Sequence, residues 1–322
     1  MTTLDEQLTK YLTDAHSIEE QALTQMRDAP GMAGRPSLAA AFEAHEPETE
    51  RHERLVRARL EARDAAPSKL KDIAGRAGGK AFVLFAKSQP DTPGKLTAHA
   101  YSYEHMELAA YELLVRVAER AGDPQTAATA RTIRAEEQAM ADRLAGLFDD
   151  AVEASLADVD PGDLREQLTK YLADAHAIEM QAIGLLERGP KIAGEAELAR
   201  AFAEHLEESR RHLELVEARL EALGGSPSKV KDAGMRLGAL NWGGFFQAQP
   251  DTPAKLAGFA FAFEHLEIGG YEQLERVAAR AGDDETVAMA ERILAEERAA
   301  AQAIAATWDA VVDASLEAQG VA

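Results

Sequence analysis

The sequence predicts an all-α chain of two tandem four-helix bundles, each with a long crossover between its second and third helices. Three observations carry this expectation. The composition is 46% hydrophobic but only 6% aromatic, and it is rich in Ala, Leu, Glu and Arg, which form helices readily. No segment sustains the apolar–polar alternation of a strand. The chain is also written twice. "EQLTKYLTDAHSIEEQAL" returns as "EQLTKYLADAHAIEMQAI", and "SQPDTPGKL" as "AQPDTPAKL", each time 160 residues on and with no gap. Such a period far exceeds the roughly 20–50 residues of a solenoid repeat. Each copy is domain-sized, and 322 residues suffice for two cores. Asp160, Pro161 and Gly162 break any helix between them, so the expected domains are 1–160 and 161–322.

The elements of the first copy follow in order. A first helix is expected from Leu4 to Arg27, ended by "DAPG". A second starts after Ser37, read as its N-cap, and runs to about Ala62. The stretch "PSKLKDIAGRAGGKAFVLFAKSQPD" is too long for a hairpin turn and partly amphipathic, so it holds a short helix within a crossover. The third helix opens at Thr92-Pro93, with Thr as N-cap, and ends at "RAGD", where Gly122 supplies the left-handed C′ residue. The fourth runs from after Asp123 to about Leu156. Four helices with one long crossover make the ferritin-like arrangement rather than a simple up-down bundle.

Charge and composition exclude several functions. A net charge of −21 argues against a nucleic-acid partner. Without Cys there are no disulfides and no thiolate metal sites. "MTTLDEQLTKYL" has neither the basic start nor the apolar run of a signal peptide, and no stretch is apolar enough to span a membrane. The expectation is a soluble, cytoplasmic protein.

The core stripe of each helix, traced in steps of three and four, is interrupted by acid. It runs Leu8, Leu12, Ala15, Glu19, Ala22, Met26 in the first helix. In the second it runs Leu38, Phe42, His45, then Glu48 or Thr49, His52. In the third it runs Ala100, Glu104, Glu107, Tyr111, Leu114. In the fourth it runs Ala130, Ile133, then Glu136 or Glu137, Met140. The second copy repeats this at Glu179, at His205, Glu208 and His212, at Glu264, Glu267 and Tyr271, and at Glu296 and Glu297. An unpaired buried carboxylate costs several kcal/mol, and like charges in one layer repel as well. Arg, His, shared protons or metal must compensate. Few Arg residues face inward, whereas two divalent ions neutralise four carboxylates, and such oxygen ligands suit iron or manganese. Of nine His, eight pair across the repeat; His99 alone does not, because Phe259 stands opposite it.

At these residues the chain resembles the ferritin-like YciE/YciF (DUF892) family of bacterial stress proteins. The resemblance rests on "AHSIEEQAL", "AFEAHEPET", "YEHMELAAYELL" and "IRAEEQA" in the first copy. In the second it rests on "AHAIEMQAI", "AFAEHLEES", "FEHLEIGGYEQL" and "ILAEERA". It covers nearly all of each copy. It implies a four-helix bundle, dimerisation and a dimetal carboxylate site, with the tandem chain as a covalent pseudo-dimer that can form homo-oligomers. The candidate ligands are Glu19, His45, Glu48, Glu104 or Glu107, and Glu136 or Glu137 in the first copy. In the second they are Glu179, His205, Glu208, Glu264 or Glu267, and Glu296 or Glu297. The implied cofactor is a dinuclear iron or manganese site in each copy. The implied reaction is with dioxygen or peroxide, in oxidative-stress protection or metal handling. The alternative is a metal-free helical scaffold acting through protein contacts.

The pattern departs from common di-iron bundles, which use Glu-x-x-His on two helices. Arg51 follows Glu48 at that spacing, Arg211 follows Glu208 and Ala139 follows Glu136, so a nitrogen-poor site is expected. His45 and His205 either ligate or hydrogen-bond a ligand. His52 and His212 lie a full turn further along than Glu48 and Glu208. His16 and His176 are expected to bond ligands, and His105 and His265 to be surface or interface residues. Tyr111 and Tyr271 either bond a ligand or fill the core. Trp242, Phe245 and Phe246 are expected as packing anchors. Pro47 should disturb the second helix, making the second copy the more regular site.

Overall fold

The computed structural model describes residues 2–87, 91–227 and 251–321. The chain is all-α, and no strand occurs among the described residues. It divides into two compact units, Met1–Ala157 with Gln319–Ala322, and Asp158–Ala318.

The first unit is built from α1 (Leu4–Met26), α2 (Pro36–Glu61), α3 (Lys69–Lys87), α4 (Thr92–Arg120), α5 (Pro124–Ala145) and α6 (Phe148–Ser155). The four long helices form a ring: α1 beside α2, α2 beside α5, α5 beside α4, and α4 beside α1. The second unit repeats the plan with α7 (Leu164–Leu186), the short α8 (Gly189–Ile192), α9 (Ala196–Ala222), α10 (Thr252–Ala281), α11 (Asp284–Ala305) and α12 (Trp308–Ala318). Its crossover, with Trp242, Phe245 and Phe246, lies outside the described residues.

Local sequence sets the helix ends. Thr3 and Glu6 form a capping box at α1: the Thr3 hydroxyl accepts from Glu6 N at 3.1 Å, and the Glu6 carboxylate from Thr3 N at 2.8 Å. Ser37 is not the cap of α2. Arg35 takes that place in extended backbone, because Pro36, with its fixed φ and no N–H, fits the first helical position. At α4 the cap is Asp91 rather than Thr92, whose hydroxyl donates instead to Ala86 O at 2.8 Å. Gly122 takes the left-handed conformation expected of it, with φ 69°. Asp123 then caps α5, accepting from Thr126 N at 2.9 Å. The fourth helix is not continuous to Leu156; it breaks at Gly146 and Leu147 into α5 and α6. Pro47 does not interrupt α2, which runs on through it.

The crossover helix α3 is longer than a short connector and lies along α1. Lys71 pairs with Asp14, Arg76 with Glu20 at 2.7 Å and Lys87 with Asp28 at 3.0 Å. Gly75 and Gly79 permit the close approach: a Cβ at Gly75 would lie 2.9 Å from the Ser17 carbonyl oxygen, and one at Gly79 3.0 Å from that of Gln21. Val83 and Ala86 thereby join Met26, Met32, Leu38, Phe42 and Leu96 in one apolar core. His99 stacks on Phe82 of α3 with ring centroids 3.4 Å apart. Among the described residues no helix is long and apolar enough to cross a membrane.

Candidate metal centre

Midway along the first unit the apolar core gives way to a polar layer. Glu19 comes from α1, His45 and His52 from α2, Glu104 and Glu107 from α4, and Glu137 from α5. All six are 0% exposed. Glu104 and Glu107 share a helix face at the i, i+3 spacing. His45 and His52 are two turns apart, about 10.5 Å of helix rise, yet their side chains lean together until the ring centroids are 6.3 Å apart.

The layer resolves into two half-sites that share Glu137. His45 Nε2 lies 3.2 Å from Glu137 Oε2 and 3.5 Å from Glu104 Oε2. His52 Nδ1 lies 2.7 Å from Glu137 Oε1 and 3.9 Å from Glu19 Oε2. The second unit repeats the arrangement around Glu297. His205 Nε2 lies 2.9 Å from Glu264 Oε2 and 3.3 Å from Glu297 Oε2. His212 Nδ1 lies 2.9 Å from Glu297 Oε1 and 3.5 Å from Glu179 Oε1. Glu267 belongs to the His205 group.

These atoms crowd together at ion-pair distances, but their directions do not meet hydrogen-bond geometry. Glu19 Oε2, both oxygens of Glu104, Glu107 and Glu137, His45 Nε2 and His52 Nδ1 are buried and have no hydrogen-bond partner. The same is true of Glu179 Oε2, Glu264 Oε2, both oxygens of Glu267 and Glu297, His205 Nε2 and His212 Nδ1. Buried polar atoms are otherwise almost always paired. Buried His and Glu groups so arranged can hold a metal ion.

The outer faces of these side chains are tied down. His45 Nδ1 bonds Glu48 Oε2 at 3.0 Å, and His52 Nε2 bonds Glu136 Oε2 at 2.6 Å. A neutral imidazole that donates outward must present a lone pair inward, so these carboxylates direct both rings at the layer. Glu208 at 3.2 Å and Glu296 at 2.8 Å do the same for His205 and His212. The Tyr111 hydroxyl donates to Glu19 Oε1, and that of Tyr271 to Glu179 Oε1 at 2.5 Å, so each phenol bonds a layer carboxylate.

Without a cation the layer must hold protons. Burial, then the Glu137 charge, raises Glu19 to about 8. Burial lifts Glu104 and Glu107 well above the carboxylate range, and Glu267 likewise. Burial opposes a charge on His45, but Glu104, Glu137 and Glu48 outweigh it and raise the ring to about 10. Burial would also raise Glu137, but His45 and His52 overcome it and hold that carboxyl at about 2. In the second unit Glu264 is raised to about 7, chiefly by burial, and His212 to about 10 against burial, by Glu179 and Glu297.

The structure therefore brings Glu19, His45, Glu104, Glu107 and Glu137 together in the first unit and, separately, Glu179, His205, Glu264, Glu267 and Glu297 in the second. It parts the other candidates from the layer. Glu48, Glu136, Glu208 and Glu296 sit behind the histidines with side chains 25–39% exposed. The site is not nitrogen-poor, since two imidazoles face each layer. His52 and His212, expected a turn beyond, belong to it; their recurrence seven residues after His45 and His205 was the available signal. Each layer thus combines four carboxylates and two imidazoles, with both imidazoles on one helix. His16 bonds Glu53 at 2.7 Å and Asp72 at 3.2 Å, tying α1 to α2 and α3, and His176 bonds Glu217; neither touches a layer carboxylate in these bonds. His105 and His265 are buried rather than on the surface, and donate to Tyr101 O and Phe261 O, each at 2.7 Å.

No solved structure matches the chain. A family model described as a domain of unknown function, DUF892, matches residues 3–157 and again residues 163–317. The two matched segments cover nearly the whole sequence and coincide with the two units that carry the layers, so the chain belongs to the DUF892 family and holds its domain twice in tandem.

Proposed function

We propose that each unit binds two divalent cations, iron or manganese, and that the bound pair reacts with dioxygen or peroxide in oxidative-stress protection or metal handling. The observation that carries this reading is the set of buried ligand atoms without a hydrogen-bond partner that converge in each layer. Charge supports it: four carboxylates balance two divalent ions. The mixed oxygen and imidazole donors suit iron or manganese better than calcium, which takes oxygen alone.

His45, Glu104 and Glu137, and His52, Glu19 and Glu137, would hold the ions, with Glu107 completing the layer. In the second unit the same parts fall to His205 and Glu264, to His212 and Glu179, and to Glu297 and Glu267. The chemistry supplied by such a pair is electron transfer to a bound oxidant. Glu48 and Glu136 keep the imidazole lone pairs turned inward, and Tyr111 fixes the free oxygen of Glu19 toward the layer. Burial of the layer side chains shields them from bulk solvent.

Anaerobic loading with Fe(II), and separately with Mn(II), followed by elemental analysis, tests the reading. About four tightly held metals per chain are expected for two dinuclear sites. None, in a folded protein, would overturn it. A metal-free scaffold acting through protein contacts is the second reading. It is favoured by one observation, the outward Leu70, Ile73 and Leu84 of α3, which are 78%, 59% and 70% exposed.

A further inference from the structure

The first layer is sealed, since all six of its side chains are 0% exposed. An ion must still reach it. Two half-exposed carboxylates touch the layer from outside, and both lie on the seam between α2 and α5. Glu48, with 39% of its side chain exposed, bonds His45, and Glu136, with 31% exposed, bonds His52. Arg51, 42% exposed, closes over Glu136 in an ion pair. The seam between α9 and α11 has the same three groups. Arg211 Nη2 lies 3.9 Å from both Glu208 and Glu296, whose side chains are 35% and 25% exposed. On the α1 side of the first unit, Glu19 is backed by the phenol of Tyr111, itself 1% exposed.

The internal repeat supplies a second, independent observation. Elsewhere around α2 the charges have changed between copies. Glu46 stands where the second copy has Leu206, Glu50 where it has Arg210, Glu53 where it has Leu213 and Arg54 where it has Glu214. On α5, Arg131, Arg134 and Gln138 stand opposite Glu291, Leu294 and Arg298. Amid this drift Glu48, Arg51 and Glu136 recur unchanged as Glu208, Arg211 and Glu296. Orienting a histidine needs only an acceptor at its outer nitrogen. It needs neither a carboxylate half in solvent nor an arginine upon it.

We propose that divalent cations enter each layer along this seam. Glu48 and Glu136, or Glu208 and Glu296, take the hydrated ion from solvent, and Arg51 or Arg211 is the counter-charge it displaces. The inference rests on the metal reading above and assigns the route rather than the ligands. It involves no bond-making beyond ligand exchange: the ion leaves water for the outer carboxylates and then for the layer.

The test is stopped-flow uptake of Co(II) by the full-length chain, followed by the metal's visible absorption, with release measured by chelator challenge. The variants are E48Q/E208Q, E136Q/E296Q and R51A/R211A. Gln keeps an oxygen to accept from the histidine N–H, so orientation survives while the charge is lost. Both Gln pairs are expected to slow uptake about tenfold, as lost electrostatic steering does, and to slow release as well, since ions leave by the same route. R51A/R211A is expected to accelerate uptake. Unchanged rates in the Gln pairs, or faster release with uptake unaltered, would overturn the route and leave the metal reading standing. No uptake by the unmodified chain would overturn the metal reading, and the route with it.

Discussion

Glu137 Oε1 and His52 Nδ1 stand 2.7 Å apart across the seam of α5 and α2, both 0% exposed and neither hydrogen-bonded through that atom. The other oxygen of Glu137 faces His45, so one carboxylate serves both half-sites. Replacing it should therefore empty both. E137Q is expected to lower the metal content from about four to about two per chain, with the second unit still loaded. E297Q should do the converse. Elemental analysis after Fe(II) loading checks both, and a variant that keeps all its metal would remove Glu137 from the ligand set.

Tyr111→Phe deletes the hydroxyl that donates to Glu19 and leaves Glu19 Oε1 buried without that partner. Losing one partner of a buried hydrogen bond costs about 1–3 kcal/mol. The first unit should lose that much stability in urea unfolding of the metal-free chain. Tyr271→Phe should transfer the loss to the second unit.

The pH dependence of the metal-free chain has a definite sign. Folding raises Glu19 from 4.5 to about 8, so the folded form keeps a proton that the unfolded form releases. The stability contributed by this group is complete below about pH 4.5 and is lost as pH rises to about 8. His45, raised from 6.5 to about 10, acts in the same direction over its own higher window. Glu137, depressed to about 2, acts oppositely, losing its contribution only as pH falls below 4.5. Thermal melts of the metal-free chain should therefore fall by several degrees between about pH 5 and pH 9. Mn(II) should flatten that slope, because bound cations displace the same protons. A metal-free chain that grew more stable over this range would contradict the buried-carboxylate account.

Gly75 tests how α3 is seated. Its missing Cβ would meet the Ser17 carbonyl oxygen at 2.9 Å, backbone that cannot swing aside. Gly75→Val should lift α3 from α1 and destabilise the first unit by about 1–3 kcal/mol, as overpacking does. Hydrogen exchange in α3 should quicken while α4 and α5 stay protected.

The helices and the acidic layer were legible because a period of 3.6 residues places Glu19, His45, Glu104 and Glu107 on inward stripes. The choice between Glu48 and Thr49, and between Glu136 and Glu137, was not. Adjacent residues differ by about 100° around the helix, and an apolar stripe is itself that wide. The structure resolves both choices. Thr49 is buried with its hydroxyl donating to His45 O at 3.2 Å, and Glu137 faces in while Glu136 stays outside. His52 was misjudged because helix rise separates backbones, whereas long side chains can converge. The bond from Tyr111 to Glu19 joins two helices whose pairing no local pattern announces. The caps of α2 and α4 were misplaced by one or two positions because a proline fits either of the first two helical residues.

That Tyr111–Glu19 bond also sets an order of events at the ribosome. Its partners are 92 residues apart, as are Tyr271 and Glu179. Each layer draws on the first helix and the last long helix of its unit, so no part of the chain can assemble one before about five-sixths of that unit has emerged. At about 5–20 residues per second the first layer can close while the second unit is still being made. This interval separates two nearly interchangeable sets of helices in time, so that "EQLTKYLTDAHSIE" has already found its partners before "EQLTKYLADAHAIE" can compete for them.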